Sequence, residues 1–99
     1  VFEDILTLDD VAIQRILRDV ETKELALALK GASEEVANVI YKNQSKRAAA
    51  SLKEDIEYLG PVRLTDVEKA QQQIVAVIRR LEDAQEIIIS RGGEDALIM

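Results

Sequence analysis

A chain of 99 residues holds one small domain on a single core, with roughly a third of the unfolded chain's surface left exposed. Hydrophobic residues make up 47% but aromatics only 3%, so the interior must be assembled from Leu, Ile, Val and Ala, the material of packed helices. Thirteen Lys and Arg against 19 Asp and Glu give a net charge of −6, which repels a phosphate backbone or an anionic bilayer and argues against a nucleic-acid partner.

No cysteine is present, so disulfides, a thiolate nucleophile and the usual structural zinc are excluded and an intracellular setting is expected. Apolar runs are only a few residues long and no basic leader precedes one, so neither a membrane span nor a signal peptide is expected. The chain opens at Val1-Phe2 without Met, which suggests a fragment, residues 1–99, of something longer.

The first segment, residues 2–6, reads as a short, weak helix. Asp9 offers an N-cap to a second, whose Ile13, Ile16, Leu17 and Val20 recur at helical spacing. Thr22 is the expected cap of a third, residues 23–30, ended by Gly31. There Leu25, Leu27 and Leu29 alternate with Ala26 and Ala28, yet Leu, Ala, Glu and Lys all favour helix. Leu25 and Leu29 share a face that Leu27 does not, so the element is either buried on two sides or leaves an apolar spot for a partner. Ser33 starts a fourth helix, with Val36, Val39 and Ile40 inward and Lys42-Asn43-Gln44 closing it.

Residues 45–61, SKRAAASLKEDIEYLGP, form the fifth, stopped by Gly60-Pro61. A sixth is expected to start at Thr65, with Glu68 completing a T-x-x-E capping box, and to carry Val67, Ala70, Ile74, Val77, Ile78 and Leu81 along one side for about five turns. Ile87-Ile88-Ile89 has no evident strand partner, which predicts an extended tail on the helices, with Arg91-Gly92-Gly93 and the end mobile. The reading is all-α: a compact six-helix domain, compatible with an armadillo-like right-handed arrangement, followed by an extended C-terminal tail.

The fifth helix has its charges reversed. A helix favours acids at its start and bases at its end, each contributing roughly 0.3–1 kcal/mol. The others comply: Asp9 and Asp10 precede Arg15 and Arg18, Glu34 and Glu35 precede Lys42, Asp66 and Glu68 precede Arg79 and Arg80, and Lys30 ends the third. The fifth instead opens on Lys46 and Arg47 and closes on Glu54, Asp55 and Glu57. At about 100° per residue, Ala48, Ala49, Leu52, Ile56 and Leu59 share a core-facing arc. Arg47, Ser51, Glu54 and Tyr58 make the opposite ridge, with Asp55 on its flank. Arg47 finds no acid three or four residues away, and Asp55 finds no base; Lys53 and Glu57 can pair. A single such charge is an ordinary solvated group. The polarity of the whole ridge favours an intermolecular role, because a separated plus and minus end can be gripped by a complementary partner.

ALKGA at 28–32, KNQSKRAA at 42–49, GPVRL at 60–64, VEKAQQ at 67–72 and IRRLE at 78–82 together resemble the flagellar motor switch protein FliG family, as does the opening VFEDILTLDD. The resemblance runs end to end and matches the last six-helix part of that family's C-terminal domain. It implies a rotor component at the cytoplasmic face of the bacterial inner membrane, in the C-ring of the basal body. The implied partners are the stator protein MotA, the rotor protein FliM and neighbouring FliG subunits, with no nucleic acid and no membrane insertion. The charges that act in torque would fall on Lys30, Arg47, Glu54, Asp55 and Arg63. Lys30 and Arg63 also have ordinary readings, as a helix-end base and a loop cation. Gln44 stands where relatives commonly have Met, which would loosen packing at the fifth helix. Gln85 stands where Gly commonly ends the last helix, which would let that helix run on or fray.

An enzyme is disfavoured: His and Cys are absent, no phosphate-binding glycine loop occurs, and adjacent Glu54 and Asp55 alone are a weak cation site, so no cofactor is expected. The alternative is a helical scaffold that binds another protein through an apolar groove, with Leu27 as its exposed contact.

Overall fold

The computed structural model describes residues 2–87. A 3₁₀ helix, η1 (Phe2–Thr7), leads into five α-helices: α1 (Asp10–Arg18), α2 (Thr22–Lys30), α3 (Glu34–Lys42), α4 (Lys46–Leu59) and α5 (Leu64–Asp83). No strand occurs among the described residues, so the all-α, six-helix reading holds. Ile87 is buried; the rest of the expected tail lies outside the described residues.

The elements begin where short polar side chains replace missing backbone acceptors. Asp9 Oδ1 accepts from the Ala12 N–H at 2.8 Å, Ser33 Oγ from Val36 at 3.3 Å and Ser45 Oγ from Ala48 at 3.1 Å. Two expected starts shift. Thr22 is already the first residue of α2, with Glu21 before it, and α5 begins at Leu64 after Arg63; neither start carries a side-chain cap bond. Thr65 thus lies inside the first turn, where its hydroxyl cannot close a capping box. Helix length there is set by the packing of Val67, Ala70, Ile74, Ile78 and Leu81, all buried.

α2 is the hub. It lies against both α5 and α4, while η1 meets α3 and α5, α1 meets α5, and α3 meets α4. This explains its Leu-Ala alternation. Ala26 and Ala28 are fully buried along with Leu25 and Leu29, and Leu27 is half-buried against the same core. Small side chains let two neighbouring helices approach, and the element is buried on more than one side; Leu27 does not stand clear. Each fully buried Ile or Leu here, such as Ile5, Ile13, Ile40 and Ile74, contributes about 1.5–3 kcal/mol.

Gly31 ends α2 for a reason other than backbone freedom. Its φ of −110° is open to any residue, but a Cβ there would lie 2.7 Å from Val67 Cγ1. Gln71 Nε2, one turn on, donates to the Ala28 carbonyl at 3.0 Å and pins the same crossing.

The end of α5 corrects the expected fraying. Gln85 itself adopts φ +60°, and its N–H bonds to the Glu82 carbonyl while that of Glu86 bonds to Leu81, both at 2.9 Å. These are the paired bonds of a left-handed helix stop. An L-residue in this conformation costs roughly 1–2 kcal/mol. Gln85→Gly is therefore expected to raise unfolding stability by about 1 kcal/mol, after the glycine's larger unfolded-state entropy is deducted; a denaturant titration with no gain would refute the strain.

Charge tethers secure this end. Arg15 donates to Asp19 at 2.9 Å and to Glu86 at 2.7 Å, and Arg80 reaches Asp19 at 3.4 Å. The hydrogen bond with Glu86 foremost, then that with Asp19, raises the Arg15 pKa, and the bond from Arg15 lowers that of Asp19. At the other end of α1, Asp10 accepts from Asn43 Nδ2 at 3.1 Å and lies 3.5 Å from Lys42 Nζ.

Gln44 precedes the α4 cap with its Oε1 buried and without a hydrogen-bond partner. Leaving a buried acceptor unpaired costs about 1–3 kcal/mol. Gln44→Met, of similar length and without that oxygen, is expected to stabilise the chain by about 1 kcal/mol, read as a raised midpoint in thermal unfolding.

Candidate interaction surface

α4 has no acid in its first turn and no base in its last. Three features hold it. Leu52 is its one fully buried side chain, assisted by half-buried Ala49, Ile56 and Leu59; Ala48, expected on the core arc, is exposed. Lys53 does not pair with Glu57; its Nζ sits 4.8 Å from the centroid of the Tyr41 ring on α3, a cation–π contact. Burial raises the Tyr41 pKa.

The third feature comes from α2. The Gly60 N–H turns back to Glu57, and the Ile56 carbonyl is met instead by Lys30 Nζ at 3.3 Å. The base that α4 lacks at its negative end is supplied by another helix. Gly60 then takes φ 60°, ψ −152°, a region essentially restricted to glycine, and the chain leaves for α5.

The outer ridge is open. Arg47, Ser51, Glu54 and Tyr58 are exposed, and Asp55 is half-buried on the flank. Arg63, just before α5, is exposed as well. Among the described residues, no hydrogen bond or ion pair ties the side chains of Arg47, Glu54, Asp55 or Arg63, whereas Arg15, Asp19, Arg80 and Glu86 are knotted together elsewhere. Arg47 and Glu54 stand seven residues apart, about 10 Å along the axis, so the two signs remain separate rather than neutralising each other. Of the five charges singled out by sequence, four are unengaged and Lys30 has a structural contact.

Sequence reasoning missed that contact, since Lys30 and Ile56 are 26 residues apart. It also missed Leu64, 70% exposed at the start of α5. An open groove of about 920 Å³ runs along α5, lined by Phe2, Val75 and Ala76 together with Gln71, Gln72, Arg79 and other polar groups. Leu27 does not line it. No cluster of three or more metal-ligating side chains occurs among the described residues, and no helix there is long and apolar enough to cross a membrane.

The family described as FliG C-terminal domain matches residues 1–89. The flagellar motor switch protein FliG of Thermotoga maritima is 66% identical over 99 residues, and that of Bacillus subtilis 56%. The chain is covered completely in both, yet spans only 30% and 29% of their lengths. Among solved structures, FliG from Helicobacter pylori superposes with a TM-score of 0.86 at 38% identity over 87% of this chain and 38% of that one. Full-length FliG from Aquifex aeolicus gives 0.81 at 46% identity over 83% of this chain and 26% of that one. The sequence motifs, the six-helix arrangement and these matches agree: the chain belongs to the FliG C-terminal domain family.

Proposed function

We propose that this domain is the part of a bacterial flagellar rotor that faces the stator, and that the α4 ridge transmits torque electrostatically to the cytoplasmic loop of MotA and takes part in reversing rotation. The reading is non-catalytic. It locates the domain in the C-ring on the cytoplasmic face of the inner membrane, with FliM and neighbouring FliG subunits as its other partners. The supporting observation is the unengaged, spatially separated charge of Arg47 against Glu54 and Asp55 on a helix that gains nothing from that order. Complementary charge at a surface chiefly accelerates encounter and selects partners, which suits a contact made and broken repeatedly. Arg63 extends the positive set; Lys30 serves α4 as well and is the least specific member.

The test is Arg47→Asp combined with Asp55→Arg in an intact motor. Swimming speed is expected to fall severalfold with the protein expressed and folded, because the charge at position 47 is then reversed beside Lys46 and the Glu54–Asp55 acid pair is neutralised. Single reversals are expected to be mild, since exposed pairs are each worth about 0–1 kcal/mol. Normal motility in the double variant refutes the stator role.

A further inference from the structure

Charges alone make a poor grip. Exposed ion pairs add little net affinity and are screened within about 8–10 Å at physiological salt, so a ridge built only of Arg47, Glu54 and Asp55 steers a partner without retaining it. The same ridge ends on Tyr58, whose ring is 86% exposed. Tyr58 lies eleven residues beyond Arg47, which returns it to within about 20° of the same line and about 16 Å along the axis. The chain's other tyrosine, Tyr41, is half-buried under Lys53, as a ring serving its own fold would be. Across the four-residue connection from Gly60 to Arg63, Leu64 opens α5 with 70% of its surface exposed. Two large exposed apolar groups thus stand on either side of one connection in the chain, which follows the acidic end of α4.

We propose that Tyr58, supported by Leu64, is the apolar anchor of this surface, seated in a pocket of the stator's cytoplasmic loop. The pocket carries a basic group toward Glu54 and Asp55 and lies about 16 Å from an acid that meets Arg47. Buried tyrosines are frequent energetic centres of interfaces because a rigid ring removes much apolar surface from water at small entropy cost. The charges set the rate and register of encounter; the ring sets how long the contact lasts. This inference rests on the stator reading above.

Binding kinetics separate the two. Full-length rotor protein carrying this domain is passed over immobilised, detergent-purified stator complex at two salt concentrations. Tyr58→Ala is expected to raise the dissociation rate about tenfold or more, with association changed less than about twofold and an unaltered salt dependence. Tyr58→Phe is expected to restore most of the residence time. Arg47→Asp with Asp55→Arg is expected to slow association and change its salt dependence. Unchanged dissociation for Tyr58→Ala overturns the anchor while leaving the ridge intact, provided the charge variant still slows association; indifference to both overturns both. Failure of Tyr58→Phe to rescue assigns the effect to the hydroxyl and overturns the apolar anchor. Because Tyr58 is exposed, the thermal unfolding midpoint of each variant is expected to match the parent.

Discussion

Leu52→Ala is expected to lower the unfolding free energy by about 2–5 kcal/mol, the usual range for removing a fully buried leucine side chain. The consequence is specific to α4. Leu52 is its one fully buried side chain, and Ile56 and Leu59 are only partly covered. A 14-residue helix is marginal by itself in water, and its charge order further weakens it. Loss of this one contact should therefore release α4 before the rest of the domain. Hydrogen exchange is the discriminating measurement: α4 amides should lose protection while those of α5, with five buried side chains, keep theirs. A drop below about 1 kcal/mol would show that the Lys53–Tyr41 and Lys30–Ile56 contacts hold α4 without Leu52, and uniform loss of protection would show that α4 opens only with the whole domain. On the proposed torque role, the same variant is expected to lose swimming speed with every ridge charge intact, since charges on a detached helix have no fixed position.

Gly31→Ala is expected to destabilise the chain by about 1–3 kcal/mol through overpacking. The sign is informative, because glycine to alanine at an unstrained φ normally stabilises by about 0.4–1 kcal/mol. Here the new methyl would come within 2.7 Å of Val67 Cγ1. Val67 is buried and β-branched, so it has little rotamer freedom to move aside. The double variant Gly31→Ala with Val67→Ala should cost less than the sum of the two single changes. Additive costs in denaturant unfolding would remove the close crossing of α2 and α5 as the cause.

The sequence carried the architecture where periodicity and capping were strong. Asp9 and Ser33 were legible as caps, and the buried line from Val67 to Leu81 was legible as the longest helix. Its start was not legible: Thr65 and Glu68 form a valid capping pattern in text, yet packing carried the helix back to Leu64. Gln85 shows the same override. An unfavourable residue was expected to extend or fray α5, but burial of Ile87 and the Arg15–Glu86 tether hold the chain in the left-handed stop. The reversed order of charge on α4 was fully readable, and so was the impossibility of pairing Arg47 or Asp55 within the helix, because both depend only on local spacing.

Sequence by itself thus determined an all-helical chain with one helix of inverted charge, since propensity, amphipathic period and neighbour spacing are properties of consecutive residues. Only the tertiary structure decided that Lys30 covers the open end of α4, that Lys53 turns to Tyr41, that Gly31 is required by Val67, and that Leu27 does not stand free. Those outcomes depend on which helices cross and how closely, a matter of packing between residues distant in the chain.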